Sequence, residues 1–90
     1  MTHGYQKLET DLGELLLAMS SFTTSEAAEV EQFLSVGEYG LAFETLCGIA
    51  TEENKPVPAD LCPKVRKLAE QMKIDPIWWA ALVEQGCDGG

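Results

Sequence analysis

Apolar residues recur at intervals of three and four along most of this chain, a spacing typical of helices that bury one face. In residues 5–20 the apolar positions are Tyr5, Leu8, Leu12, Leu15, Leu16 and Met19. The same period continues over about 24–36, 38–53 and 60–72, and again from residue 75. No stretch alternates apolar and polar residues as a strand or hairpin would. We therefore predict an all-α fold, a small bundle of about five short helices.

Several boundaries of these helices carry capping signals. Thr23 and Glu26 have the spacing of a capping box, in which each side chain binds the other residue's backbone N–H. Gly37 suits the left-handed conformation that commonly follows a helix end. Asp75 followed by Pro76 is typical of an N-cap and a first helical residue.

Two glycines of the third helix and two tryptophans of the fifth helix need an explanation. Gly40 and Gly48 lie inside the third helix, where glycine is unfavourable, and close helix packing is the predicted reason. Trp78 and Trp79 point about 100° apart on a helix, so one can be buried while the other lies at a rim. The favoured interpretation is that both indoles close the bundle.

Length and composition predict one domain over residues 1–90, with 1–4 and 86–90 flexible. No run approaches the ~20 apolar residues that cross a bilayer. The first residues lack the basic start and apolar run of a secretory signal. We expect a cytoplasmic protein that does not bind membranes.

Negative charge is concentrated in the first half of the chain. The net charge is −9, and residues 1–53 hold ten of the 15 acidic residues but one of the six basic residues, Lys7. Such a charge repels nucleic acid and anionic lipid, and it attracts cationic protein surfaces. The alternative interpretation is that the acidic surface only keeps the protein soluble.

The chain offers little for catalysis or metal binding. Its one histidine, His3, is near the N-terminus, and no Cys/His cluster or phosphate-binding glycine loop occurs. We expect no catalytic residues, no metal, no cofactor and no enzymatic activity. Cys47 and Cys62 are interpreted as small, reduced, buried residues, and a disulfide framework is not expected. The role of Cys87 is open.

The run over residues 29–47, centred on Gly-Glu-Tyr-Gly-Leu-Ala-x-Glu-x-Leu at 37–46, resembles the MafI-type immunity proteins of bacterial polymorphic toxin systems. Similar features occur at 56–58, at 68–72 and at 75–82, so that the resemblance spans roughly 8–83. One departure is Pro58-Ala59, which replaces the polar N-cap usual before the fourth helix.

The resemblance implies a small bacterial cytoplasmic protein that neutralises a cognate secreted toxin, as in contact-dependent growth inhibition. The partner would be the toxin's C-terminal domain, often an EndoU-like RNase that cuts tRNA at a basic cleft. We expect acidic side chains to cover that cleft. The predicted contact residues are Glu29, Glu31, Glu38, Tyr39 and Glu44, followed by Glu9 and Glu14. Glu44 has a second interpretation, in which it binds a buried backbone group or a tyrosine hydroxyl.

A second hypothesis is a helical adaptor or anti-factor module. Such a module binds an amphipathic helix of a regulatory protein in an apolar groove. It predicts exposed Leu, Trp or Met residues and little dependence of binding on salt. The oligomeric state is open under both hypotheses.

Overall fold

The computed structural model describes the backbone of residues 3–55 and 57–87, and the side chains of residues 7–55 and 57–83. The helices are α1 (His3–Ala18), α2 (Thr24–Ser35), α3 (Tyr39–Glu52), α4 (Cys62–Met72) and α5 (Pro76–Cys87). The described residues contain no strand, which confirms the predicted all-α bundle. None of the helices in these ranges is long and apolar enough to cross a bilayer. Of the segments predicted to be flexible, residues 3–4 and 86–87 belong to helices, and the other positions lie outside the described residues.

Helix α3 is the central element of the bundle. It packs against α1, α2 and α5, while α4 packs against α1 and α5. Five of its side chains are fully buried: Ala42, Phe43, Leu46, Cys47 and Ala50. Leucines from α1, α4 and α5 complete the same apolar cluster, which includes Leu12, Leu15, Leu68 and Leu82. Fully burying side chains of this size contributes about 1.5–3 kcal/mol each, so α3 holds the other helices together.

Helix α2 begins and ends as its sequence predicts. The Thr23 hydroxyl accepts a hydrogen bond from the Glu26 N–H at 3.1 Å, and the Glu26 carboxylate accepts one from the Thr23 N–H at 2.9 Å. Both halves of the capping box are therefore formed. Beyond the other end, Gly37 has a φ of +78°, and its N–H donates to the Leu34 carbonyl at 3.1 Å.

The start of α4 differs from the prediction. The sequence predicted a helix from about Asp60, whereas the structure has a 3₁₀ turn over Ala59–Leu61 and begins α4 at Cys62. With Pro58-Ala59 in place of a polar N-cap, no side chain caps this helix. The tighter turn instead lets the Leu61 N–H bind the Pro58 carbonyl at 2.9 Å.

At the start of α5 the two tryptophans separate. The Asp75 carboxylate accepts from the Ile77 N–H at 3.0 Å, as the predicted cap requires. Trp79 packs on the core, and its indole N–H donates to the Ile74 carbonyl at 3.1 Å. Trp78 remains 45% exposed. The favoured prediction that both indoles close the bundle is thus wrong for Trp78, because adjacent helical residues point in different directions.

Two lysines from the second half of the chain bind acids of the first half. Lys55 forms an ion pair with Glu26, and its ammonium lies 5.7 Å from the centre of the Phe22 ring. Lys64 contacts Asp11 at 3.6 Å and Glu14 at 2.9 Å, which joins α4 to α1. These pairs tie the first two helices to the second half of the chain.

Cys62 corrects the prediction for the cysteines. It is buried, at 8% exposure, as expected, but it is disulfide-bonded rather than reduced. Widely spaced cysteines have no sequence signature of pairing, because tertiary packing decides which of them meet. Structural disulfides persist mainly in oxidising compartments and are rare in the cytosol. This bond therefore favours an oxidising compartment, and the cytoplasmic location stays a prediction.

Two glycines provide a test of the α2 terminus. An added Cβ would meet nothing within 4 Å at Gly37 or at Gly13, but Gly37 alone of the pair has a positive φ. We expect Gly37→Ala to lower the free energy of unfolding by about 1–2 kcal/mol through backbone strain. Gly13→Ala should instead raise it by up to about 1 kcal/mol, since alanine favours the helix. Urea titration of both variants checks this, and equal effects would contradict the assigned backbone conformations.

The pair of Glu26 with Lys55 predicts a pH-dependent stability. The hydrogen bond from Lys55, followed by that from the Thr23 backbone, lowers the pKa of Glu26 below its ordinary value. A lowered folded-state pKa contributes stability above the unfolded-state pKa, and this stability is lost as pH falls through the folded-state pKa. Glu26→Gln should therefore be less stable than wild type at pH 7 and equally stable in acid, as followed by urea midpoints. In a Lys55→Met background, the difference at pH 7 should shrink.

Candidate functional site

A shallow depression lies where α2, α3 and the start of α5 meet. Its volume is about 290 Å³, and we call it the acid–indole depression. The lining residues are Glu29, Glu44, Thr45, Gly48, Ile49, Glu52 and Trp78. Three glutamates and a half-exposed indole thus line the same depression.

The helical period of α3 positions most of this lining. Glu44, Gly48 and Glu52 are spaced by four residues and lie along one side of the helix. The opposite side carries the buried Leu46 and Ala50. Burial of that side orients the other towards solvent, beside Glu29 of α2 and Trp78 of α5.

The three carboxylates of the depression have no counter-charge among the residues that the structure describes. Among the described residues, none forms an ion pair or a hydrogen bond with the side chains of Glu29, Glu44 or Glu52. The lysines that pair with acids do so elsewhere, on α1 and at the start of α2. The depression is therefore an unneutralised anionic surface with an aromatic wall.

The structure brings together two of the predicted contact residues, Glu29 and Glu44. The Glu44 carboxylate is partly exposed at the depression and does not bind a described backbone group or hydroxyl. Glu31 is exposed but lies about 200° around α2 from Glu29. Glu38 is exposed at the N-cap of α3 without a capping hydrogen bond. These two acids extend the negative surface without lining the depression.

The other predicted contact residues lie apart from it. Tyr39 packs partly buried against the core and lines a separate depression with Leu8 and Met72. Glu9 is exposed on α1. Glu14 is exposed too, but its carboxylate accepts a hydrogen bond from Lys64. That bond raises the pKa of Lys64 above its ordinary value, so Glu14 already has a partner within the chain.

The predicted contact residues did not include the other five residues that line the depression: Thr45, Gly48, Ile49, Glu52 and Trp78. The spacing of residues 44, 48 and 52 was a usable signal, because it places them in one row on a helix. For Trp78, the 100° separation from Trp79 indicated that one of the two indoles could lie at a rim, but which one does so depends on how α5 packs. The meeting of α2, α3 and α5 is a tertiary feature.

Gly48 also corrects a prediction about helix packing. An added Cβ at Gly48 would meet nothing within 4 Å, so no neighbouring helix requires a glycine there. At Gly40 the nearest atom is Ile74 Cδ1 at 3.8 Å, an ordinary contact. A glycine inside a helix costs about 1 kcal/mol relative to alanine, and at Gly48 the packing within the chain does not account for it.

The described residues contain no group of three or more His, Cys, Asp and Glu side chains that could hold a metal ion. Next to the depression, burial and then the charge of Glu44 raise the pKa of the Cys47 thiol to about 12. A thiol must ionise to act as a nucleophile, so Cys47 is inert at neutral pH. What the depression offers is a surface for binding cations.

Comparison with known proteins adds no relative: no family model matches the chain, and neither curated proteins nor solved structures show a significant match.

The two described cysteine environments predict a graded alkylation pattern. In the folded protein, iodoacetamide should modify neither Cys47, which is buried and protonated, nor Cys62, which is disulfide-bonded. Unfolding in urea without reductant should expose Cys47 alone of these two. Added reductant should then release Cys62. Peptide mass spectrometry checks each step, and modification of Cys47 in the folded protein would contradict the assigned burial.

Proposed function

We propose that this chain is an immunity-type inhibitor that binds and neutralises the C-terminal domain of a cognate secreted toxin. The toxin domain is a basic nuclease, an EndoU-like RNase that cleaves tRNA. The inhibitor covers the enzyme's basic cleft with its acidic face and so excludes the RNA substrate without any chemistry of its own. The inhibitor acts in the bacterial cytoplasm.

The observation that carries the proposal is the position of the unpaired acids. Net charge alone would also suit a merely soluble protein. Here, however, glutamates from two helices line one depression together with an exposed tryptophan, and the lysines that form ion pairs, Lys7, Lys55 and Lys64, bind acids elsewhere. Tryptophan is enriched among the residues that dominate protein interfaces, and solubility does not require it to be exposed. The resemblance of residues 29–47 to immunity proteins supports the same assignment.

Two observations favour the adaptor hypothesis. Leu17, Leu41 and Trp78 are exposed, as that hypothesis predicts. The separate depression beside Tyr39 is lined mainly by Leu8, Met72 and two glycines, and has a volume of about 340 Å³. It could receive one apolar side chain of an amphipathic helix. Its binding would be insensitive to salt, which distinguishes it from the electrostatic proposal.

A charge-reversal experiment tests the proposed function. The full chain is used to capture its partner from the source bacterium at low salt, and the recovered nuclease domain is assayed for tRNA cleavage. Wild type should inhibit cleavage stoichiometrically. Joint replacement of Glu29, Glu38 and Glu44 by Lys should weaken inhibition at least about 100-fold, because each reversal places like charges together.

The matched control is a second triple variant with the same net charge as the charge-reversal variant. Joint replacement of Glu53, Asp60 and Glu70 by Lys changes exposed acids outside the depression and should leave inhibition within a few-fold of wild type. Association should also slow about tenfold or more between about 0.05 M and 0.5 M salt. Recovery of no nuclease, or equal inhibition by the two triple variants, would refute the proposal.

A further inference from the structure

The acid–indole depression combines three features that no internal contact explains. Gly48 has open space where a side chain could stand. Trp78 is 45% exposed, although the neighbouring Trp79 is packed on the core and hydrogen-bonded. Glu29, Glu44 and Glu52 are unpaired among the described residues. Each feature is unfavourable in the isolated chain: Gly48 lowers helix propensity, Trp78 leaves apolar surface in water, and the carboxylates repel one another.

Gly48 keeps the depression open. A larger residue at this position would project its side chain into the volume between Trp78 and the carboxylates, because Gly48 is part of the lining. Glycine is the residue used where another group must approach the backbone closely. Among the described residues, no group lies within 4 Å of a Cβ placed at Gly48, so the space over this glycine is open to a group of a partner.

The charge and shape of the depression define that group. A volume of about 290 Å³ is at the lower limit of ligand pockets, and it suits one long side chain. The carboxylates require a cation, and the indole wall favours a planar one. A guanidinium stacks on an aromatic face and binds carboxylates through two parallel hydrogen bonds, whereas an ammonium is compact and more strongly hydrated.

We propose that the acid–indole depression is the docking point for an arginine side chain of the basic protein partner. Its guanidinium stacks on Trp78 and binds the carboxylates of Glu44 and Glu29 or Glu52, while its aliphatic stem passes over Gly48. This inference rests on the proposed function, since it takes the partner to be a basic protein. It adds the residue type and the position of the anchor.

Nuclear magnetic resonance of the full chain tests the inference directly. The probes are the amides of N-acetyl-arginine, N-acetyl-lysine and N-acetyl-norleucine. The arginine probe should shift the Trp78 indole N–H and the Gly48 amide in a saturable way at millimolar concentration, and it should leave the Trp79 indole unchanged. The lysine probe should bind several-fold more weakly, and the norleucine probe should not bind.

Two glycine variants separate a blocked site from a damaged fold. Gly48→Leu fills the depression, whereas Gly13→Leu places the same side chain at an equally open glycine of α1. Both variants should be at least as stable as wild type, because leucine favours helices. Gly48→Leu should abolish binding of the arginine probe and weaken inhibition of the captured nuclease at least tenfold. Gly13→Leu should change neither.

The outcomes distinguish this inference from the proposed function. If the charge-reversal variant loses inhibition while Gly48→Leu inhibits as wild type, the inhibitor assignment stands and the arginine anchor is refuted. If the arginine probe binds in the predicted way but no nuclease is captured, the depression is a cation site and the proposed function is refuted. Equal binding of norleucine and arginine would overturn the inference outright.

Discussion

The burial of one side of α3 is the constraint on which the rest of this structure depends. Phe43, Leu46 and Cys47 fill the centre of a domain only 90 residues long, and leucines of α1, α4 and α5 pack into the same apolar cluster. With that side committed to the core, the opposite side of α3 faces solvent. Glu44, Gly48 and Glu52 form a row on this partly exposed side. The core and the candidate site therefore lie on opposite sides of the same helix.

Three of the six basic residues, Lys7, Lys55 and Lys64, form ion pairs with acids among the described residues. Lys55 and Lys64 are placed by the loop after α3 and by α4, and both bind acids that secure the ends or the junctions of helices. Glu26 therefore serves the capping box and an ion pair, and Glu14 joins α1 to α4. The carboxylates beside Trp78 receive no such partner. Some acids thus stabilise the fold through ion pairs, whereas the acids beside Trp78 are available to a cationic surface.

Local signals were predictable because they depend on residues close in sequence. The capping box of Thr23 and Glu26 and the cap of Asp75 form through contacts within one helical turn. The start of α4 was misplaced because a missing cap was compensated by a 3₁₀ turn. The disulfide of Cys62 had no local signature. At Gly48, the low helix propensity of glycine indicated a special role. The structure shows open space beside this residue rather than the close helix packing that was predicted.

The amino-acid sequence by itself determined the helices, their caps, the buried stripes and the uneven charge, since all of these arise from the helical period and from side-chain chemistry. The tertiary structure alone decided which acids share a surface. Glu29 and Glu44 come together while Glu31 and Glu9 do not, because the packing of α2 and α5 on α3 sets which helix faces adjoin. The same packing left Trp78 exposed and Trp79 partly buried: the helical period separates the two indoles, but only the packing of α5 decides which of them meets the core.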